Sequence, residues 1–324
     1  MIDLNYGENY KEEIDLKHEI EKRIAQNLGV PQNHILLNYG SNSNLILVFS
    51  AFSLKNFSEK GRKLKILFDF PNYFFSMSQM SEWLIEPIKI EREPNFELSI
   101  EKFLSAIKDN EPDIVLITTP NNPTGKTFSD GNLWLILDNL PENSIALIDR
   151  SCINVLPEIS SREILDKYKN KKIIILHSFS KSHSLSDERL GYLATNNREI
   201  AEFLFNKRDL NHNINAVKKC LKILADEKII VRKKKILTSC HNLLKNYFDN
   251  DAKGKYFESF SNFALIELPQ NLTSEILEQK FLEKDILIMG GHKIGIGNRF
   301  FRLHMSGTKE IEKFLREYDK IANA

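Results

Sequence analysis

The sequence predicts an α/β protein, with a large domain on a mostly parallel central sheet followed by a small α+β domain. Three observations carry this. Short runs that are apolar almost throughout recur in the first two thirds of the chain: "KLKILFDF" (63–70), "LIEPIKI" (84–90), "DIVLITT" (113–119), "SIALIDR" (144–150), "KIIILHS" (172–178) and "LGYLAT" (190–195). Strands buried on both faces read this way, whereas half-exposed strands alternate. Between several of them lie helical patterns, "SIEKFLSAIKD" (99–109) and "DGNLWLILDNL" (130–140), of the kind that cover a parallel sheet. From about residue 213 the texture changes. A long helical region (213–249) leads to strand-like "ESFSNFALIEL" (258–268), "ILIMGG" (286–291) and "RFFRLHMS" (299–306), then a closing helix from Thr308.

The expected organisation is an arm and helix in 1–35, the helix (11–28) packing on the small domain, then a large domain in 36–212 and a small domain in 213–324. The 45 basic and 44 acidic residues nearly cancel, so no global field draws in nucleic acid or a membrane surface. Three cysteines lie far apart with no C-x-x-C, and the histidines show no ligand spacing, so neither a disulfide framework nor a metal is expected. No signal-peptide pattern opens the chain, and no apolar run approaches the roughly 20 residues a spanning helix needs. A soluble cytoplasmic protein is the expectation.

In a parallel sheet, ligands gather at the carboxyl ends of the strands. The polar clusters fall there: "PNNPTG" (120–125) after the third run, "DRSC" (149–152) ending the fourth and "SFSK" (178–181) ending the fifth. They supply an asparagine, an aspartate and a lysine, each with a natural job on pyridoxal phosphate. Lys181 is placed as the amine that forms a Schiff base with the cofactor aldehyde. Asp149 would keep the ring nitrogen protonated, and the adjacent cation should lower its pKa. Asn122 can donate to the ring's phenolic oxygen. Ser178, Ser180 and Arg189 can hold the phosphate, the planar guanidinium suiting it better than a lysine. "YGSNSNL" (39–45) reads as a loop opening a helix, whose N–H groups and hydroxyls would cradle the same phosphate. Taken singly, each residue has a plainer reading: a surface lysine, a strand-end cap, an ordinary turn, a structural ion pair. The shared position at strand ends is what favours the site.

These stretches, with "FPNYFFSM" (70–77), "SNFALIEL" (261–268) and "FRLHMSGTKE" (301–310), resemble the fold-type-I, class I/II aminotransferases, nearest to the histidinol-phosphate aminotransferase branch. The likeness runs from about residue 5 to the C-terminus. It implies the pyridoxal-phosphate-dependent transferase fold, with Lys181 also moving the proton at the substrate's Cα and Tyr73 stacking on the ring. Ser41 and Asn42 would join the phosphate site, Arg302 would clamp the substrate α-carboxylate, and Tyr10 would stand near the substrate pocket. It further implies an amino donor, an α-keto-acid acceptor and a homodimer. Two other readings stay open: an amino-acid-phosphate decarboxylase of the threonine-phosphate type, and a silent scaffold on the same fold.

The pattern departs at Asp149-Arg150-Ser151-Cys152, where relatives usually read Asp-x-Ala-Tyr, and in the arm, where "GENYKEE" (7–13) lacks the proline and glycine of the usual "ENPYG" stretch. A thiol is a weak donor. Without the tyrosine hydroxyl on the phenolic oxygen, the imine at Lys181 should hold its proton to higher pH. A Cys152→Tyr variant is therefore expected to show a lower midpoint in a spectrophotometric pH titration of the loaded protein, and equal midpoints would refute this.

Overall fold

The computed structural model describes residues 10–156, 159–207, 212–226, 228–250 and 253–323. Seven strands form the central sheet: β1 (Ile35–Asn38), β2 (Leu64–Phe70), β3 (Ile85–Glu91), β4 (Ile114–Thr118), β5 (Ile145–Asp149), β6 (Lys172–Ser178) and β7 (Gly191–Thr195), in the spatial order β1-β7-β6-β5-β4-β2-β3. All neighbours are parallel except β7, which runs antiparallel to both β1 and β6. The six predicted runs all became strands. β1 was not foreseen, because four apolar residues between a helix and a polar turn give too short a pattern to tell from either.

Alternate residues of one strand serve opposite cores, which is why the runs are apolar throughout. Val115 and Ile117 join α1 (Tyr10–Leu28), α4 (Ile100–Asn110), α5 (Asp130–Asp138), α6 (Ser161–Lys167) and α9 (Ile214–Leu224) on one face. Ile114 and Leu116 join α2 (Gly40–Lys60), α3 (Phe74–Glu82) and α8 (Arg198–Phe205) on the other. A third core lies under a four-stranded antiparallel sheet of β8 (Lys255–Phe257), β9 (Phe263–Glu267), β10 (Met289–Gly290) and β11 (Phe300–His304). Its helices are α10 (Ile229–Asn250), α11 (Ser274–Leu282) and α12 (Thr308–Ala322).

Two expectations about organisation need correcting. The helix at 11–28 does not sit on the C-terminal unit: Ile20, Ile24 and Leu28, one stripe at four-residue spacing, are buried with the central sheet. The helical region 213–249, assigned whole to the small domain, is two helices that serve different cores. α9 buries Ala216, Val217 and Cys220 in the same core as α1, while α10 buries Leu237, Cys240 and Leu244 in the C-terminal core. The break between them carries Asp226, whose carboxylate accepts from the Lys228 N–H at 3.1 Å. The packing therefore changes hands between α9 and α10 rather than at residue 213.

A buried ion pair ties the ends of β2 and β3 to the loop after β4. The Arg92 guanidinium donates to Asp69 Oδ2 at 2.7 Å, both side chains almost fully enclosed. Asn121 Nδ2 donates to the same Asp69 oxygen at 2.9 Å and to the Pro71 carbonyl at 3.0 Å. Asn72, hydrogen-bonded to Asp69, accepts from Thr118 Oγ1 at 2.9 Å and from the Tyr73 N–H at 2.7 Å. Removing one charge would strand the other in the interior, at a cost of about 3–5 kcal/mol. Asp69→Asn is thus expected to lose about that much in urea unfolding, and the double variant Asp69→Asn with Arg92→Met to recover most of it.

Candidate active site

The parallel register sets Thr118, Asp149 and Leu176 side by side at the carboxyl ends of β4, β5 and β6. Beyond these ends the chain opens a cavity of about 290 Å³. Lys181, Asp149, Asn122, Cys152 and Tyr73 line it, as do Ser41, Asn42, Ser178, Ser180, Arg189 and Arg302. Every predicted site residue is therefore brought together except Tyr10, which opens α1 and whose side chain lies outside the described residues.

Lys181 rides on a one-turn helix, α7 (Phe179–Ser182), entered directly from β6. Ser178 caps this turn, its hydroxyl accepting from the Ser180 N–H at 3.2 Å. The amine makes no hydrogen bond or ion pair among the described residues. Burial holds its pKa below the ordinary lysine value, with the Arg302 and Arg189 cations pushing the same way and Cys152 opposing. Asp149, also buried, accepts from the N–H of Ser151 at 2.9 Å and from its hydroxyl. In the chain alone burial raises the Asp149 pKa, and the Ser151 hydrogen bonds pull it back. The lowering expected from the sequence needs a cation that the chain itself does not supply. Ser151 was missed by sequence reasoning, although a hydroxyl two residues after a strand-end aspartate is the ordinary way to tether one.

Asn122 Oδ1 accepts from Arg302 Nη1 at 2.7 Å, which leaves the amide hydrogens for the cavity. Arg302 lies over the Phe263 ring, 5.4 Å from its centroid, and its pKa is lowered by burial. It has no carboxylate partner among the described residues. The Tyr73 hydroxyl accepts from Asn42 Nδ2 at 3.3 Å, and burial raises its pKa. Cys152, three residues beyond Asp149, has its pKa pushed up to about 12, first by burial and then by the Asp149 charge.

At the opposite end, Arg189 reaches Ser180 Oγ at 3.5 Å and the Ser186 carbonyl at 3.4 Å, again with no carboxylate partner among the described residues. Its backbone is left-handed, at φ +50°. Gly40 opens α2 at φ +79°, and a Cβ there would come within 3.3 Å of the Arg189 guanidinium. A Cβ on Gly191 would meet the His177 carbonyl at 2.5 Å and Gly40 Cα at 2.8 Å. The two glycines let the start of α2, with Ser41 and Asn42, close against β6 and β7. The result is a basic cradle of hydroxyls and one guanidinium at one end, an unpaired amine in the middle and a buried carboxylate beside it. That donor set fits pyridoxal phosphate: a phosphate, an aldehyde and a ring nitrogen.

Comparison with known proteins agrees. Residues 7–317 match the family Aminotransferase class I and II. The chain belongs to this family. It is 27% identical over 308 residues to histidinol-phosphate aminotransferase 2 of Pasteurella multocida, covering 93% of this chain and 79% of the relative. The solved histidinol-phosphate aminotransferase of Clostridium acetobutylicum superposes with a TM-score of 0.83 at 23% identity, over 97% of this chain and 94% of that one. That of Sinorhizobium meliloti, solved in complex with pyridoxal 5'-phosphate, superposes at 0.77 with 15% identity, over 95% and 82%. This aminotransferase accordingly has the fold-type-I architecture and takes pyridoxal phosphate as its cofactor.

His304, one of the histidines without ligand spacing, is an exposed residue two positions beyond Arg302 on β11; partial desolvation together with the nearby Lys181, Arg302 and Lys233 cations brings its pKa down to about 4. Strand periodicity puts residues i and i+2 on one face, so Arg302 could have flagged it. Removing the Arg302 cation relieves like-charge repulsion on Lys181 and raises its pKa. Pulse modification of the cofactor-free protein with trinitrobenzenesulfonate across pH, quantified by peptide mapping, should give Lys181 a midpoint below the ordinary lysine range. The midpoint should move up in Arg302→Gln, and an unchanged one would count against the assignment.

Proposed function

We propose that this aminotransferase transfers the amino group of a small amino compound to an α-keto acid, with Lys181, Asp149 and Arg302 as the residues that act on substrate and cofactor. The observation that carries the reading is the set of unspent charges around one cavity. Lys181, Arg189 and Arg302 all face it, and none has a carboxylate partner among the described residues. Lys181 and Arg302 are partly withdrawn from water, Arg189 stands at the open end, and cations held at a cavity without partners are suited to an anionic ligand.

When bound, pyridoxal phosphate supplies an aldehyde that captures an amine and a ring that accepts the electron pair left at Cα. Lys181 would hold the aldehyde end and would carry the proton to and from Cα; its lowered pKa leaves more of the amine neutral, and so able to take a proton, than in an ordinary lysine. Asp149 holds the proton at the ring nitrogen, with Ser151 fixing its carboxylate. Arg189, Ser178, Ser180 and Ser41 bind the phosphate. Tyr73 covers one face of the ring, and Asn122 donates to its oxygen while its own carbonyl orients Arg302. Arg302 then fixes the substrate carboxylate, which sets the Cα–H geometry. Cys152 fills the tyrosine's place without offering a strong donor.

The reading extends to a cytoplasmic homodimer whose partner subunit completes each site. It rests here on the family likeness, and sedimentation of the loaded protein tests the dimer. Among the described residues no helix is long and apolar enough to cross a membrane.

Incubation with pyridoxal phosphate should give an absorbance near about 420 nm that is lost in Lys181→Ala. Amino-group transfer to the keto acid without carbon dioxide release is the expected reaction; carbon dioxide without transfer would make the protein a decarboxylase instead. Arg302→Gln should raise KM for α-amino acids by about tenfold to a hundredfold, the worth of a charged hydrogen bond, while leaving the 420 nm band (about that wavelength) in place.

A further inference from the structure

A second cavity, of about 510 Å³, opens on the other side of Lys181 and shares Ser180, Lys181 and Ser186 with the first. Its walls come from both units: Ser184 and Asp187 of the loop after α7, Lys233 of α10, and Asn262, His304 and Ser306 around the C-terminal sheet. Lys233 Nζ donates to the main-chain carbonyl of Lys181 at 2.7 Å, which occupies one of its three hydrogens. It makes no ion pair among the described residues. Its pKa is lowered by burial and by the Lys181 charge. His304 feels Lys181, Arg302 and Lys233 together and stays neutral down to about pH 4, so its ring can donate a hydrogen bond without adding charge.

The decisive group is Asn262. It is 3% exposed, and its amide nitrogen is enclosed without a hydrogen-bond partner. Turning the amide over does not solve this, because Oδ1 already accepts from the Ile153 N–H and the Ser261 hydroxyl, both at 3.3 Å. A buried donor left unmatched costs more than most hydrogen bonds return, and one kept in a native structure calls for a partner such as a ligand or ion. The cavity is thus lined by a fixed ammonium with hydrogens to spare, a neutral imidazole and the four serines Ser180, Ser184, Ser186 and Ser306, with the enclosed Asn262 amide in its wall. Against these stands one carboxylate, Asp187, exposed at the rim.

We propose that this second cavity is a binding site for a small oxyanion, a phosphate or a carboxylate, with Lys233 as its anchor and Asn262 and His304 as its neutral donors. The site rests on the functional reading above only for its role: the anion is either the distal group of the amino substrate, whose reacting end lies at Lys181, or a free ion beside it. The chemistry of recognition is the same in both cases.

Inorganic phosphate titrated calorimetrically into the protein loaded with pyridoxal phosphate, so that the Arg189 cradle is filled, reads the site directly. Lys233→Met should weaken phosphate about tenfold, as loss of one charged hydrogen bond does, and Lys233→Arg should restore most of it. His304→Ala, at an exposed position, should weaken it less and guards against a folding defect in Lys233→Met. Turnover of O-phospho-L-serine against L-serine then separates the sources. A preference for the phosphorylated amino acid that collapses in Lys233→Met assigns the site to the substrate, and equal turnover with intact phosphate binding assigns it to a free ion. Phosphate affinity indifferent to both Lys233→Met and His304→Ala overturns the proposal. Failure of pyridoxal phosphate to bind would sink the functional reading, while the effect of Lys233→Met on phosphate affinity would still decide the anion site.

Discussion

The site depends on one enclosed carboxylate that is not part of the chemistry. Asp69 binds Arg92 and Asn121 at once and holds Asn72, so the ends of three strands are tied at a single point. From this point the chain runs one way into Tyr73 and the other way into Asn122, which form two walls of the cavity. Neither wall could drift independently without breaking a charged hydrogen bond in a region closed to water, where such bonds are strongest and their loss is most costly. Sheet packing brings the strand ends together, and this ion pair makes the meeting accurate.

Electrostatic economy separates the two kinds of charge in the molecule. Asp69 and Arg92 neutralise one another and are silent towards solvent. Around the cavity the opposite holds: Lys181, Arg189 and Arg302 face inward with no carboxylate among the described residues to match them. Ser151 tethers the lone buried acid there, Asp149, so that it is oriented but not neutralised. A site arranged like this gives up folding stability for affinity, which is the usual relation between stability and function at binding cavities.

Much of this was legible in the sequence because the signals were dense and local. Strands buried on both faces announce themselves by unbroken apolar runs, and polar clusters at their ends point to the ligand. What was not legible had weak or non-local signals. β1 is four residues long. The allegiance of α1 and α9 depends on which core receives their stripes, and a stripe carries no address. Ser151 and His304 matter only through their neighbours, Asp149 and Arg302. Lys233 is far from Lys181 in the chain, and only the folded arrangement of α10 against α7 reveals their contact. Asp69 is one polar residue in an otherwise apolar run end, and nothing local marks it as the tie.

The segment after β5 carries a further consequence. Within five residues it holds Asp149 through Ser151, lines the cavity with Cys152, buries Ile153 in the C-terminal core and packs the partly buried Val155 against it, with the Val155 N–H bonded to the Phe260 carbonyl at 2.8 Å. An extended chain spans only about 3.5 Å per residue, so this strap has little slack. Any shear of the C-terminal unit over the large sheet must pull on the loop that aims the acid. The linkage would make the two halves of the molecule mechanically continuous at the reaction centre, so that seating a substrate against one unit adjusts the alignment of a group rooted in the other.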